Sequence, residues 1–416
     1  MILPLLCLPA ISFIISWLAT LMVRRIALKI GFVDKPGGRK VHTGATPLGG
    51  GIAIFAGVAI PLLFALAFLA SVPPDGSGAH WNPAYIRGAR EHTPLALGMI
   101  GAMLLVHLLG LIDDRKSLGP FLKLIVQLAI VGLFVTLFDC RALTALDHLG
   151  LGRWPSVIVT VLWIAGITNA FNFLDNMDGL SAGVAAVCTT AFLIAALSIQ
   201  QWFVAAALAL LLGSLLGFLC FNFPPATIFM GDSGSLVIGL VLGVLTIRTT
   251  YLPAGMSLGA GWYAVFVPVI VLAVPLYDLI VVSTIRIMRG KSPFVGDTNH
   301  FSHRLVARGM SKRTAVLCLY LVSAATAVAA IILPHARSPF VAVLIFVQTL
   351  LILGVVALLE QHPLPGASVP ETPKTVQGAS AARINPSHGS GEAAQLIREA
   401  ASGDVTASTG SSPARN

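Results

Sequence analysis

The sequence predicts an all-α, polytopic integral membrane protein, and three observations carry that expectation. Of its 416 residues 56% are hydrophobic and only 10% charged, against about 25% charged in an ordinary soluble domain. Apolar stretches of about 20 residues, each long enough to cross a hydrocarbon core of roughly 30 Å, recur along the chain. The basic residues gather in alternate connections between those stretches, the pattern that sets orientation in a bilayer.

Eleven spans are expected, at 2–23, 48–72, 95–112, 120–138, 155–171, 179–198, 202–221, 233–250, 262–285, 314–333 and 339–360. The first has no basic residue ahead of it and Arg24-Arg25 behind it, which reads as an uncleaved span with its N-terminus outside rather than a signal peptide. The second follows a polar, basic, Gly-rich loop running from Asp34 through Lys40 and Thr46 to Gly51. That loop lacks the spacing of a nucleotide phosphate loop. The third ends on Asp113-Asp114, and the fourth carries Lys123 one turn in. The fifth runs out into Asn169, Asn172, Asp175, Asn176 and Asp178, and Gly179 opens the sixth. The eighth is entered through a Pro-broken, Gly-rich turn, Pro224-Pro225 to Gly231-Asp232-Ser233-Gly234. The ninth passes Tyr277-Asp278 into Arg286, Arg289 and Lys291, then Asp297, His300, His303 and Arg304. Spans 2, 7, 10 and 11 are nearly free of such groups. Residues 1–360 thus form the membrane domain. Residues 361–416 turn to Ser, Ala, Gly, Pro and Thr and read as a disordered cytosolic tail.

With the N-terminus outside, the inward loops 24–47, 113–119 and 286–313 hold six, two and seven basic residues, and Lys123 brings the inward total to 16 of 26. The formal charge of +9 is therefore read as sidedness, not as a nucleic-acid footprint. Five cysteines, none paired at metal-ligand spacing, suggest neither a disulfide framework nor a zinc site. Eight acidic residues (Asp34, Asp113, Asp114, Asp175, Asp178, Asp232, Asp278 and Asp297) fall on the inward side. Positive-inside sorting gives no reason for that, since acids contribute little to topology. A face that collects both signs of charge suits a metal and phosphates.

The clusters sharpen this. Adjacent carboxylates at Asp113 and Asp114 repel unless a cation or shared proton offsets them. Asn169, Asn172 and Asn176 would share one face of a continuing helix, and polar groups at membrane depth need partners. Helix capping at Asp178-Gly179 explains one of that run but not the rest. Asp232 among the free N–H groups of a helix start could hold a divalent cation that binds phosphate oxygens. His300, His303 and Arg304 would share a helical face as a donor cluster for a diphosphate. Gly231 to Gly234 also fits the motif of an intramembrane serine protease, with Ser233 as nucleophile and His107 as base. A transporter or flippase is the competing non-enzymatic class, although transporters place their decisive polar groups near the bilayer midplane.

In this order and on one side, these elements resemble the polyprenyl-phosphate N-acetylhexosamine-1-phosphate transferase family (glycosyltransferase family 4). The resemblance implies transfer of an N-acetylhexosamine 1-phosphate from a UDP-sugar to undecaprenyl or another polyprenyl phosphate, with release of UMP, at the cytosolic face of the cytoplasmic membrane. By that resemblance Asn172 and Asp232 are metal ligands for Mg2+, with Mn2+ able to replace it, and Asp113, Asp114 and Asp175 are catalytic. Lys40, Thr46, Lys123, Asn169, Asp178, His300, His303 and Arg304 become substrate contacts. A homodimer is compatible with the sequence. The open spacing from His300 to Arg304, without consecutive histidines, favours the branch that initiates O-antigen, teichoic acid or other envelope polymers over the muramoyl-pentapeptide branch.

Overall fold

The computed structural model describes residues 2–34, 45–73, 83–249, 262–293, 300–333 and 338–361. All eleven apolar stretches are helical over those residues. In chain order the helices are α1 Ile2–Ile30, α2 Gly50–Ser71, α3 Pro83–Glu91, α4 Thr93–Arg115, α5 Pro120–Leu137, α6 Trp154–Leu174, α7 Leu180–Ser198, α8 Trp202–Asn222 and α9 Asp232–Arg248. After these come α10 Val267–Val271, α11 Ala273–Met288, α12 Phe301–Ala307, α13 Lys312–Ile332 and α14 Pro339–Gln361. Among the described residues nine helices are long and apolar enough to cross a membrane, and ten if the bent pair α10–α11 counts as one span. The remaining stretch, the eighth in the chain, is α9, which has 17 residues, about 25 Å of helix, at the short end of what a bilayer core needs.

The short helix α9 is the central post. Its residues from Ser233 to Thr246 are all buried, so it needs no polar face and is apolar on every side. It packs against α6, α4 and α2, with α7 and α8 also touching it. Around that post, α1 packs along α8 and α2. Ser12 Oγ lies 2.7 Å from the Gly57 carbonyl and 2.5 Å from that of Leu210, and Ser16 Oγ donates to the Ser214 carbonyl at 2.8 Å. Close packing and side-chain-to-backbone hydrogen bonds of this kind replace the hydrophobic effect as the glue between helices in lipid.

The ninth span is broken rather than continuous, with a 71° bend between Tyr263–Val271 and Ala273–Met288. Pro275 removes the N–H that would bond the Val271 carbonyl one turn earlier. Cys188 Sγ takes that carbonyl instead, at 3.3 Å. Three elements were not anticipated: α3, a 3-10 turn at Thr144–Leu149, and a two-residue antiparallel pairing of β1 (Val33–Asp34) with β2 (Thr46–Pro47). This pairing puts Thr46 opposite Asp34 at the two ends of the first loop. Lys40, Asp297 and the tail lie outside the described residues.

Candidate active site

The site is built around the start of α9. Gly231, the residue before the helix, has φ +74, a conformation that glycine adopts without strain. A Cβ there would stand 2.5 Å from Asp114 Oδ2. The preceding carbonyls of Phe229 and Met230 accept the Gly50 and Gly51 N–H groups at the head of α2, both at 3.0 Å. The Phe229 N–H donates to Pro47 of β2 at 2.8 Å, so the first loop's ends frame the same turn.

Successive residues of a helix point about 100° apart, and this separates the two neighbouring carboxylates of α4. Asp114 faces α9 and accepts the N–H groups of Asp232 at 2.8 Å and Ser233 at 3.2 Å, capping that helix from another chain segment. Asp113 faces α5, where its Oδ1 accepts the Leu118 N–H at 2.7 Å and its Oδ2 lies 3.3 Å from Lys123 Nζ. Lys123 also contacts Asp232 Oδ2. One ammonium group therefore lies between two carboxylates from different helices.

From α6, Asn172 Nδ2 lies 2.9 Å from Asp232 Oδ1 and 2.9 Å from Ser235 Oγ. The expected single face of three asparagines does not form, because α6 ends at Leu174. Asn176 falls in the following turn, where its amide bonds the Phe173 carbonyl at 2.7 Å. Asn169 turns instead to Gln127 of α5, with Nδ2 2.9 Å from Gln127 Oε1. Asp175 occupies the C-cap of α6. Burial, then the negative charges of Asp232, Asp114 and Asp178, push its carboxyl well above the usual range. Asp178 accepts the Ala226 N–H at 3.0 Å, joining the α6–α7 turn to the turn ahead of α9.

The histidine segment forms helix α12 only from Phe301, leaving His300 as an N-cap with extended backbone, so the expected shared helical face does not include His300. The rings of His300 and His303 are 6.5 Å apart, and burial followed by repulsion from His300 lowers the pKa of His303. Arg304 does not complete a three-donor cluster. Its Nε and NH2 lie 2.9 and 2.6 Å from Glu360 Oε2 on α14, so it ties α12 to the last helix. The sequence could not show that pairing across 56 residues. Gln127 and Asp278 are two further polar residues of the site region that received no role from the sequence. Both are fully buried in apolar helices, and burial of a polar side chain at membrane depth is the signal that could have singled them out.

The serine-protease geometry is absent. His107 Nδ1 lies 2.9 Å from the backbone carbonyl of Ser233, not its hydroxyl, and its ring stacks on Phe55 at 4.9 Å. The Ser233 hydroxyl is directed at the Met230 carbonyl at 3.5 Å. With the imidazole on the backbone rather than on Oγ, the Ser233–His107 dyad does not form.

Among the described residues no group of three or more His, Cys, Asp or Glu is arranged to hold a metal. That argues against an all-protein cage of the zinc type. A hard cation that takes one or two protein oxygens and completes its shell with water and phosphate needs less. The Asp232 carboxylate and the neighbouring Asn172 amide suit such an ion.

The sequence profile of glycosyl transferase family 4 matches residues 96–250, a stretch holding Asp113, Asp114, Lys123, Asn172, Asp175 and Asp232. A Bacillus subtilis protein named a probable undecaprenyl-phosphate N-acetylglucosaminyl 1-phosphate transferase is 34% identical over 336 residues, spanning 78% of this chain and 85% of its own. The decaprenyl-phosphate N-acetylglucosaminephosphotransferase of Mycolicibacterium smegmatis is 32% identical, over 74% of this chain and 77% of its own. The undecaprenyl-phosphate alpha-N-acetylglucosaminyl 1-phosphate transferase of Escherichia coli K12 is 27% identical, over 75% and 79%. With the α4, α5, α6 and α9 residues gathered as this geometry has them, the chain belongs to the polyprenyl-phosphate N-acetylhexosamine-1-phosphate transferases of glycosyl transferase family 4.

Proposed function

We propose that this membrane enzyme transfers N-acetylglucosamine 1-phosphate, or a closely related N-acetylhexosamine 1-phosphate, from its UDP-sugar to undecaprenyl phosphate. The product is the lipid-diphosphate sugar on which an envelope polysaccharide is built. The observation that carries the reading is the meeting of Asp113, Lys123, Asn172 and Asp232 from four helices at the head of the buried α9, in a chain whose relatives bear that activity in their names.

The chemistry follows from the charges. An oxygen of the lipid phosphate attacks the phosphorus that bears the sugar. The bond from that phosphorus to the bridging oxygen breaks, and UMP leaves with the bonding pair. Two phosphate groups must approach, so the dominant contributions are positioning and charge neutralisation rather than covalent help from the protein. Lys123 supplies one cation at the rim. Asp113 is the candidate acceptor of a proton from the lipid phosphate, and Asp114 holds the head of α9 in place. His300 and His303 contact the diphosphate. Asn172 and Asp232 would hold Mg2+, or Mn2+ in its place, and the ion would neutralise phosphate charge and stabilise the leaving UMP. Lys40, Thr46, Asn169 and Asp178 are assigned to substrate contacts around this centre.

The excess of basic residues in the loops that join these site elements supports a multi-pass protein of the cytoplasmic membrane with this face in the cytosol. The direct test is incubation of the purified protein with radiolabelled UDP-N-acetylglucosamine, undecaprenyl phosphate and Mg2+. Label in the organic phase with stoichiometric UMP is the expected result. Label confined to the aqueous phase for every UDP-N-acetylhexosamine offered would overturn the reading.

A further inference from the structure

The carboxylate of Asp278, in the lower limb of the broken span, has no place in the chemistry above. It is fully buried in α11, where an isolated carboxylate would be strongly disfavoured. Both its oxygens go to the start of α12. Oδ2 lies 2.7 Å from His300 Nδ1, and Oδ1 accepts the Phe301 N–H at 3.1 Å. A group needed only to cap a short helix would bond backbone amides alone, and a neutral serine or asparagine would serve. Here one oxygen is directed at an imidazole.

That bond has a chemical consequence. A carboxylate accepts a hydrogen bond, so it selects the form of His300 with a proton on Nδ1 and leaves Nε2 as the atom the ring can offer elsewhere. Among the described residues Nε2 has no protein partner. The ring also meets that of Phe173 nearly at right angles, with centroids 5.9 Å apart. Phe173 directly follows Asn172, whose amide touches Asp232. Ser302 Oγ donates to Asn176 Oδ1 at 2.5 Å, so α12 is pinned to the turn that leaves α6. Two anchors, one from α11 and one from the α6–α7 turn, thus hold a single imidazole beside the segment that carries Asn172.

We propose that Asp278 is a positioning residue of the transfer reaction, acting through His300 by presenting its Nε2 to a phosphate oxygen of the sugar nucleotide. The inference rests on the reading of His300 as a phosphate contact. A double-mutant cycle in the full-length protein tests it, with kcat and KM for UDP-N-acetylglucosamine measured for the parent, Asp278→Asn, His300→Ala and the double variant, and thermal midpoints measured alongside.

Loss of an orienting partner of this kind typically lowers activity about 10- to 100-fold. Asp278→Asn is expected to lose that much in kcat/KM, mainly through kcat, with its thermal midpoint within a few degrees of the parent. In the His300→Ala background the same substitution should cost less than about twofold, because residues that act through one another are not additive. An equal loss in both backgrounds would make Asp278 a structural cap and overturn the proposal, as would an Asp278→Asn enzyme as active as the parent. If Asp278→Asn does not fold, Asp278→Glu, which keeps the charge but displaces the ring, runs through the same cycle with the same two outcomes. A His300→Ala variant with parental kinetics would remove the phosphate-contact reading itself, and a parent without transfer activity would remove the functional reading beneath it.

Discussion

On the proposed assignment of the cation to Asp232, Lys123 and that cation compete for one carboxylate, and removing the lysine should show it. Its ammonium touches Asp232 Oδ2 and stands 3.3 Å from Asp113 Oδ2. At an effective dielectric constant of about 20, two unit charges at that separation attract by about 5 kcal/mol. The three side chains retain 15 to 25% of their exposure, so solvent screening and the cost of desolvating the lysine reduce the net value to about 1.5–3 kcal/mol. Lys123→Met keeps the apolar stem and deletes the charge. Two carboxylates then face one another without a counter-ion, and the metal-free protein should lose about that much stability. A cation binding at Asp232 no longer has to displace the ammonium, so its affinity should rise by the same free energy, about 10- to 100-fold at roughly 1.4 kcal/mol per decade. The assay is thermal unfolding in detergent, first with EDTA and then across a Mg2+ titration, because a ligand of the folded state raises the midpoint as it saturates. The half-saturating concentration should fall about 10- to 100-fold in Lys123→Met while transfer activity drops. An unchanged half-saturating concentration would refute the shared site and move the metal away from Asp232.

Three further outcomes are expected. Asp113→Asn should be far slower than the parent near pH 6 and regain at least about tenfold in relative rate by about pH 8.5. The lipid phosphate's second ionisation near pH 6 makes a base dispensable at alkaline pH, whereas a constant ratio of rates would make Asp113 an electrostatic group. Asp175→Asn should raise the thermal midpoint of the metal-free protein at neutral pH while impairing transfer. Its carboxyl is held well above the usual value by burial and neighbouring carboxylates, so the folded state binds the proton more tightly than the unfolded state. Stability is lost as pH rises from the unfolded value of 3.8 through the folded one, and the variant's gain should vanish on acidification. In a cysteine-free background, Ser117→Cys and Ser292→Cys should react with an impermeant thiol reagent only from the cytosol and Leu151→Cys only from outside. The opposite pattern would invert the orientation.

The spans were legible because crossing a bilayer imposes one length and one composition on every helix, and the helices other than the polar α3 and α12 follow the apolar runs closely. The break in the ninth span was not, since the run from Val267 to Leu276 is apolar throughout and hydropathy is blind to where a missing N–H bends a helix. The meeting of Asp113, Asp114, Asn172 and Asp232 at the head of α9 was foreshadowed by acids gathered at the same ends of the spans. The division of labour within it was not. Asp113 and Asp114 are neighbours in sequence, yet one turns to α5 and the other to α9, and only the packing of three helices decides which. Arg304 reads as a substrate contact because it shares a helical face with His303, and its pairing with Glu360 stays hidden because that acid ends a helix otherwise without charge. Asp278 and His300 are 22 positions apart, and no local periodicity links them.

The serines of α1 bear on how this protein is made. Ser12 and Ser16 find their carbonyl partners at Leu210 and Ser214, 198 positions later in the chain. At a synthesis rate of about 5–20 residues per second, the first helix waits roughly 10–40 s in the bilayer before α8 emerges. During that interval the Ser16 hydroxyl must fold back onto a carbonyl of its own helix, while Ser12 can already reach the Gly57 carbonyl of α2, and the seam for α8 is open to lipid or to any other newly inserted helix. Closure of the α1–α8 seam is therefore among the late events of biogenesis, whereas α1 can pack on α2 early, and a chain stalled before α8 leaves the ribosome would leave that seam open.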